Sequence, residues 1–124
     1  MPSILVVDDE PAIRQFLRSA LEEAGYEVSE AANGKEAMAQ IRRVTFDLAI
    51  IDLVMPEQDG LETLRDLKRE FPALRTIAIS GSFGGCELDT HLRIAELLGA
   101  RASLRKPLSV QILLETVRRV LDAS

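Results

Sequence analysis

The sequence predicts a doubly wound α/β domain, a five-stranded parallel sheet with five helices over both faces. Three observations carry this. Short apolar runs alternate strictly with segments of helical period, five times over, and such crossovers impose parallel strands and right-handed connections. Runs such as ILVV show no polar alternation, which places them in a sheet covered on both faces. The chain has 124 residues, 47 % of them hydrophobic and 28 % charged, which suits one core, so residues 1–124 are read as a single domain.

The elements follow in order. Residues 4–7, ILVV, form a buried strand. Residues 10–25 carry Ile13, Phe16, Leu17, Ala20, Leu21 and Ala24 at helical spacing, with Asp9 as a cap, Pro11 in the first turn and Gly25 as the stop. YEVSEA (26–31) alternates as a strand, and NGKEAMAQIRRV (33–44) is a helix opened by Asn33, with Ala37, Met38 and Ile41 inward. FDLAIID (46–52) is a second deeply buried strand. GLETLRDLKREF (60–71) is a helix with Leu61, Leu64, Leu67 and Phe71 on one side, stopped by Pro72. LRTIAIS (74–80) is a strand and GSFGG (81–85) a loop. Residues 86–99 form a helix ended by Gly99, residues 102–104 a short strand, and residues 109–123 a last helix capped by Ser109.

Bulk properties narrow the function. A net charge of −5 argues against direct nucleic-acid binding, where a basic footprint is expected. Cys86 is the only cysteine, so no internal disulfide can form and a reducing cytoplasm is the expected setting. Neither a signal peptide nor a membrane span is visible in the sequence, so no membrane contact is expected.

In open parallel sheets, sites form beyond the carboxyl ends of the strands, where the winding reverses. The first strand ends on Asp8 and Asp9, the third on Asp52 and the fourth on Ser80, while the fifth is followed by Lys106. Any one of these is an ordinary polar residue, and Asp9 alone is a helix cap. Five at one edge make a shared site the better reading. Clustered carboxylates resist full ionisation unless a cation joins them. Oxygen-only ligands favour a hard ion, and Mg²⁺ takes one or two carboxylates together with phosphate oxygens. A carboxylate beside Mg²⁺ can act as a nucleophile toward phosphorus, with the ion, the Lys106 ammonium and the Ser80 hydroxyl on the phosphoryl oxygens.

The motifs ILVVDDEP (4–11), DLVMPEQDGLE (52–62), TIAIS (76–80) and LRKPL (104–108), in that order and spacing, resemble the receiver domain of two-component response regulators, from about Ser3 to Leu121. The resemblance implies a flavodoxin-like sheet of order 2-1-3-4-5. Asp52 would be the phosphoryl acceptor. Asp9 would ligate Mg²⁺ directly and Asp8 through water, with Asp52 and the Val54 carbonyl completing the protein ligands. Lys106 would bridge to Asp52 and the phosphoryl group, Ser80 would be the switch hydroxyl, and the Lys106–Pro107 bond would be cis. Gly60 would serve a sharp turn into the next helix.

The sequence departs from the receiver pattern at three places. Ser103 stands where receivers usually carry Tyr or Phe, so the usual coupling through a turning ring cannot operate in that form. The stretch between Ser80 and Lys106 is longer than usual and glycine-rich, and Leu108 replaces a common Phe. The expected structural response therefore lies in residues 81–98, changing the 81–105 surface. Expected partners are a sensor histidine kinase or histidine phosphotransfer protein, a downstream protein or output domain, and a second copy through the 87–121 face, where Ile94 and Leu97 flank Arg93, Arg101 and Arg105. A phosphate-independent binding module with a decayed switch is the alternative, and Ser103 is its argument. Retention of Asp8, Asp9, Asp52, Ser80 and Lys106 weighs against it. An aspartyl-phosphate phosphatase is disfavoured because Val54 stands where a second Asp is needed.

Overall fold

The structure, a computed structural model, describes residues 1–53, 60–80, 93 and 95–123. Five strands, β1 (Ser3–Val7), β2 (Glu27–Ala31), β3 (Leu48–Asp52), β4 (Arg75–Ser80) and β5 (Ala102–Arg105), form one sheet. Every pairing is parallel, and the order is β2-β1-β3-β4-β5. Helices α1 (Pro11–Glu23), α2 (Gly34–Arg43), α3 (Gly60–Glu70) and a C-terminal helix (Val110–Asp122) cover it. Helical backbone at Arg93 and at residues 95–97 belongs to the helix expected over 86–99, most of which lies outside the described residues.

Successive residues of a strand point to opposite faces, so the sheet divides the interior in two. Leu5, Val7, Ala49, Ile51 and Ala78 face one apolar layer with α2 and α3. Ile4, Val6, Ile50, Ile77 and Ile79 face the other, with Leu17 and Leu21 of α1 and Leu113 and Val117 of the C-terminal helix. Burial on both faces explains why these strands read as unbroken apolar runs.

Helix ends agree with the sequence in two cases and differ in one. Asn33 accepts a hydrogen bond from the Glu36 N–H at 2.9 Å while Glu36 reaches back to the Ala32 N–H at 3.0 Å, so two otherwise orphaned donors are satisfied. Ser109 accepts from the Ile112 N–H at 3.4 Å. Asp9, however, does not cap α1. Pro11 occupies the first helical position, which makes Glu10 the capping residue, and no side-chain cap bond forms there. Ala24, which falls at helical spacing in the sequence, is exposed because α1 ends before it. Asn33→Ala is expected to lower stability by about 1 kcal/mol, read as a denaturant midpoint shift at constant slope.

Candidate functional site

Strand register builds the site. Val7 pairs with Ile51, Asp52 with Ile79, and Ser80 with Arg105. Asp8 and Asp52 therefore stand side by side just past the point where β1 and β3 run together. Ser80 lies one residue past the partner of Asp52, and Lys106 follows Arg105. The ladders continue one residue further: the Asp8 N–H donates to the Ala31 carbonyl at 3.1 Å, Leu53 to Ile79 at 2.8 Å and Lys106 to Ser80 at 2.9 Å. The chain turns at the Lys106–Pro107 bond, which is cis. β1 lies between β2 and β3, so this edge is where the winding reverses.

Charge is concentrated there. Asp8 is 1 % exposed and Asp52 3 %. The Lys106 ammonium lies 3.3 Å from Asp8 Oδ2, 3.6 Å from Asp52 Oδ2 and 3.3 Å from Glu10 Oε1. Carboxylate oxygens of Asp8, Asp9 and Glu10 converge within 4.8 Å of one another. Burial pushes the Asp8 carboxyl above its ordinary pKa, opposed by the Glu10 N–H on Oδ1 at 2.9 Å and by Lys106, and reinforced by the Asp9 charge. Burial acts to depress Lys106, but the charges of Asp52 and Asp8 outweigh it and hold the ammonium above its ordinary range.

Four carboxylates against one ammonium leave three negative charges when all are ionised, and a divalent cation would reduce that to one. Asp8 Oδ2 is buried and has no hydrogen-bond donor. Its 3.3 Å approach to Lys106 is a charge contact without hydrogen-bond alignment. An orphaned carboxylate oxygen amid an all-oxygen cluster fits a hard cation such as Mg²⁺. Asp8→Asn is expected to raise the melting temperature of the metal-free protein by about 3–5 °C, because a buried charge is removed. It should also abolish the upward shift that Mg²⁺ gives wild type. Thermal melts with EDTA and with excess Mg²⁺ measure both.

Of the residues singled out from sequence, the structure brings Asp8, Asp9, Asp52, Ser80 and Lys106 to one sheet edge. Val54, Cys86 and Ile94 lie outside the described residues. Ser103 is on β5 opposite Ala78 and half-buried, so no ring stands at that position. Leu97 is 82 % exposed, and Arg93, Arg101 and Arg105 are exposed with it. Glu10 is an addition to the site. Its signal lies in the run of three acids, although the helical period places it in the helix. Arg14 is another: its guanidinium donates to the Asp8 carbonyl oxygen at 2.6 Å.

At Gly60, where a turn into the next helix is expected, the structure adds a close backbone approach. The residue opens α3, and its N–H donates to the Leu53 carbonyl at 3.1 Å. A Cβ there would lie 2.5 Å from Leu53 Cα, 2.8 Å from the Asp52 carbonyl carbon and closer still to its oxygen. Glycine is required by backbone approach, and among the described residues the positive-φ glycines are Gly25 and Gly99, at the ends of their helices.

No helix among the described residues is long and apolar enough to cross a membrane. Residues 4–118 match the family model for the response regulator receiver domain. The transcriptional regulatory protein ZraR of Salmonella typhimurium is 38 % identical over 118 residues, which are 95 % of this chain and 26 % of that protein. The chain thus spans about a quarter of that relative. The crystal structure of the receiver domain of NtrX from Brucella abortus superimposes with a TM-score of 0.90 at 30 % identity, covering 98 % of this chain and 99 % of that one. The response regulator protein TrrA from Thermotoga maritima, in complex with Mg(2+)-BeF, gives 0.82 at 32 % identity, covering 97 % and 99 %.

Proposed function

The chain belongs to the response regulator receiver domain family, and from that premise we propose that it is a phosphorylation-dependent signalling switch whose acceptor is Asp52. The observation that carries this reading is the shared ammonium of Lys106, which ties the buried carboxylates of Asp8 and Asp52 together at the carboxyl edge of the sheet. Asp52 is a carboxylate held on a rigid central strand, which suits a nucleophile that must be aligned with phosphorus. One carboxylate oxygen forms the new bond to phosphorus, and the bond from phosphorus to the donor nitrogen or acyl oxygen breaks. The leaving group departs with the electron pair. Lys106 is placed to hold a phosphoryl oxygen beside Asp52, and the buried Ser80 hydroxyl lies one residue past the Asp52 partner on β4. Asp8, Asp9 and Glu10 would hold Mg²⁺ at the site, with Asp52 and the Val54 carbonyl as further ligands. When bound, the ion supplies charge neutralisation on the transferring group. The TrrA complex with Mg(2+)-BeF supports this assignment by similarity.

The donor is a phosphohistidine on a partner kinase or phosphotransfer protein, in the cytoplasm. The signalling step is placed in the 81–105 surface. Ser103 offers no ring to turn, whereas Leu97 and the exposed arginines 93, 101 and 105 give that surface an apolar and cationic partner face. A downstream protein, an output domain or a second copy is the expected occupant.

Incubation with acetyl phosphate tests the chemistry. Wild type with Mg²⁺ should gain the mass of one phosphoryl group, and EDTA should prevent it. Uptake that ignores Mg²⁺, or no uptake at all, overturns the reading.

A further inference from the structure

Arg14 sits in the first turn of α1, beside the acids and outside them. One nitrogen, Nη1, donates to the Asp8 carbonyl oxygen at 2.6 Å, and Nε donates to Glu30 Oε1 at 3.1 Å. Its side chain is only 17 % exposed. Glu30 is itself anchored on β2: Gln40 donates to its carbonyl at 2.7 Å, and Arg18 donates to its other carboxylate oxygen at 2.9 Å. Arg18 touches Glu30 and Glu22, not Asp8. The planar guanidinium thus spans from a fixed carboxylate to the peptide that joins Asp8 to Asp9. A planar fork loses less freedom per hydrogen bond than a flexible ammonium, so it is suited to setting a direction.

We propose that Arg14 is a positioning residue for the cation site, acting through the Asp8 main chain. Its bond to the Asp8 carbonyl fixes the peptide on which the Asp8 and Asp9 carboxylates depend for their convergence with Glu10. The role rests on the reading that these acids hold Mg²⁺. Charge alone predicts the opposite sign. A guanidinium repels a divalent cation, so removing it should tighten binding if Arg14 acted only as a charge. If it acts by orientation, removing it should weaken binding, as loss of groups that orient metal ligands does by about 10-fold or more.

Calorimetric titration of the whole chain with Mg²⁺ alone, without phosphoryl donor, separates these. Arg14→Ala should bind about 10-fold more weakly than wild type. Arg18→Ala, which loosens the same Glu30 network without touching Asp8, should bind as wild type does. Arg14→Ala binding as tightly as wild type, or more tightly, overturns the proposal, and so does equal weakening in Arg18→Ala. Should Arg14→Ala fail to fold in a thermal melt, Arg14→Lys carries the test, since it keeps the charge and loses the fork. Weaker binding supports the proposal, and wild-type affinity overturns it. Wild type taking up no Mg²⁺ would instead defeat the metal reading on which this role stands.

Discussion

Asp52→Asn is expected to take up no phosphoryl group from acetyl phosphate and Mg²⁺, while melting at a higher temperature than metal-free wild type. The amide keeps the shape of the carboxylate but is not a nucleophile toward phosphorus. The stability gain has a separate origin. Asp52 is 3 % exposed and shares the Lys106 ammonium with Asp8 and Glu10. Two nearly buried carboxylates converge on one ammonium, and neutralising one of them relieves the repulsion between them. Loss of uptake together with lost stability would indicate a fold defect, so the melt is part of the measurement. Equal phosphoryl uptake by wild type and variant in intact-mass spectra would remove Asp52 as the acceptor.

Gly60→Ala should lower stability and also impair phosphoryl uptake. The added carbon has nowhere to go: its nearest neighbours are main-chain atoms of Asp52 and Leu53, which cannot rotate aside. Overpacking of this kind costs about 1–3 kcal/mol. The displaced segment carries the acceptor, and a misplacement of about 1 Å can slow a positioned reaction by about 100-fold. The expected outcome is a lower melting temperature and an initial rate of mass gain about 100-fold below wild type. A variant with both properties intact would show that α3 can shift away without moving Asp52.

The sheet was legible because its central strands, β1, β3 and β4, are buried on both faces. Five apolar runs with helices between them leave few arrangements, and the acids at their ends fall together once the strands are parallel. The order β2-β1-β3-β4-β5 is not contained in alternation, and followed only from resemblance to receivers. Less legible were features that depend on three-dimensional approach. Glu10 looked like the first residue of a helix, and Pro11 in fact pushes the helix start beyond it, leaving its side chain to face Lys106. Arg14 gave no sign, because its partners are a main-chain oxygen six residues back and a glutamate on another strand. At Gly60 the pattern suggests a turn into the next helix, but the close approach of the Asp52 and Leu53 main chain is invisible in one dimension.

The crowding around Lys106 has a consequence for the charged state. An ammonium has three N–H bonds to give. Glu10 accepts one of them at 3.3 Å, while the approach of Asp8 is a charge contact and Asp52 stands 3.6 Å away. A phosphoryl oxygen delivered to Asp52 would therefore meet a cation with a donor to offer, so the transferred group can be received without unseating an acid already in place.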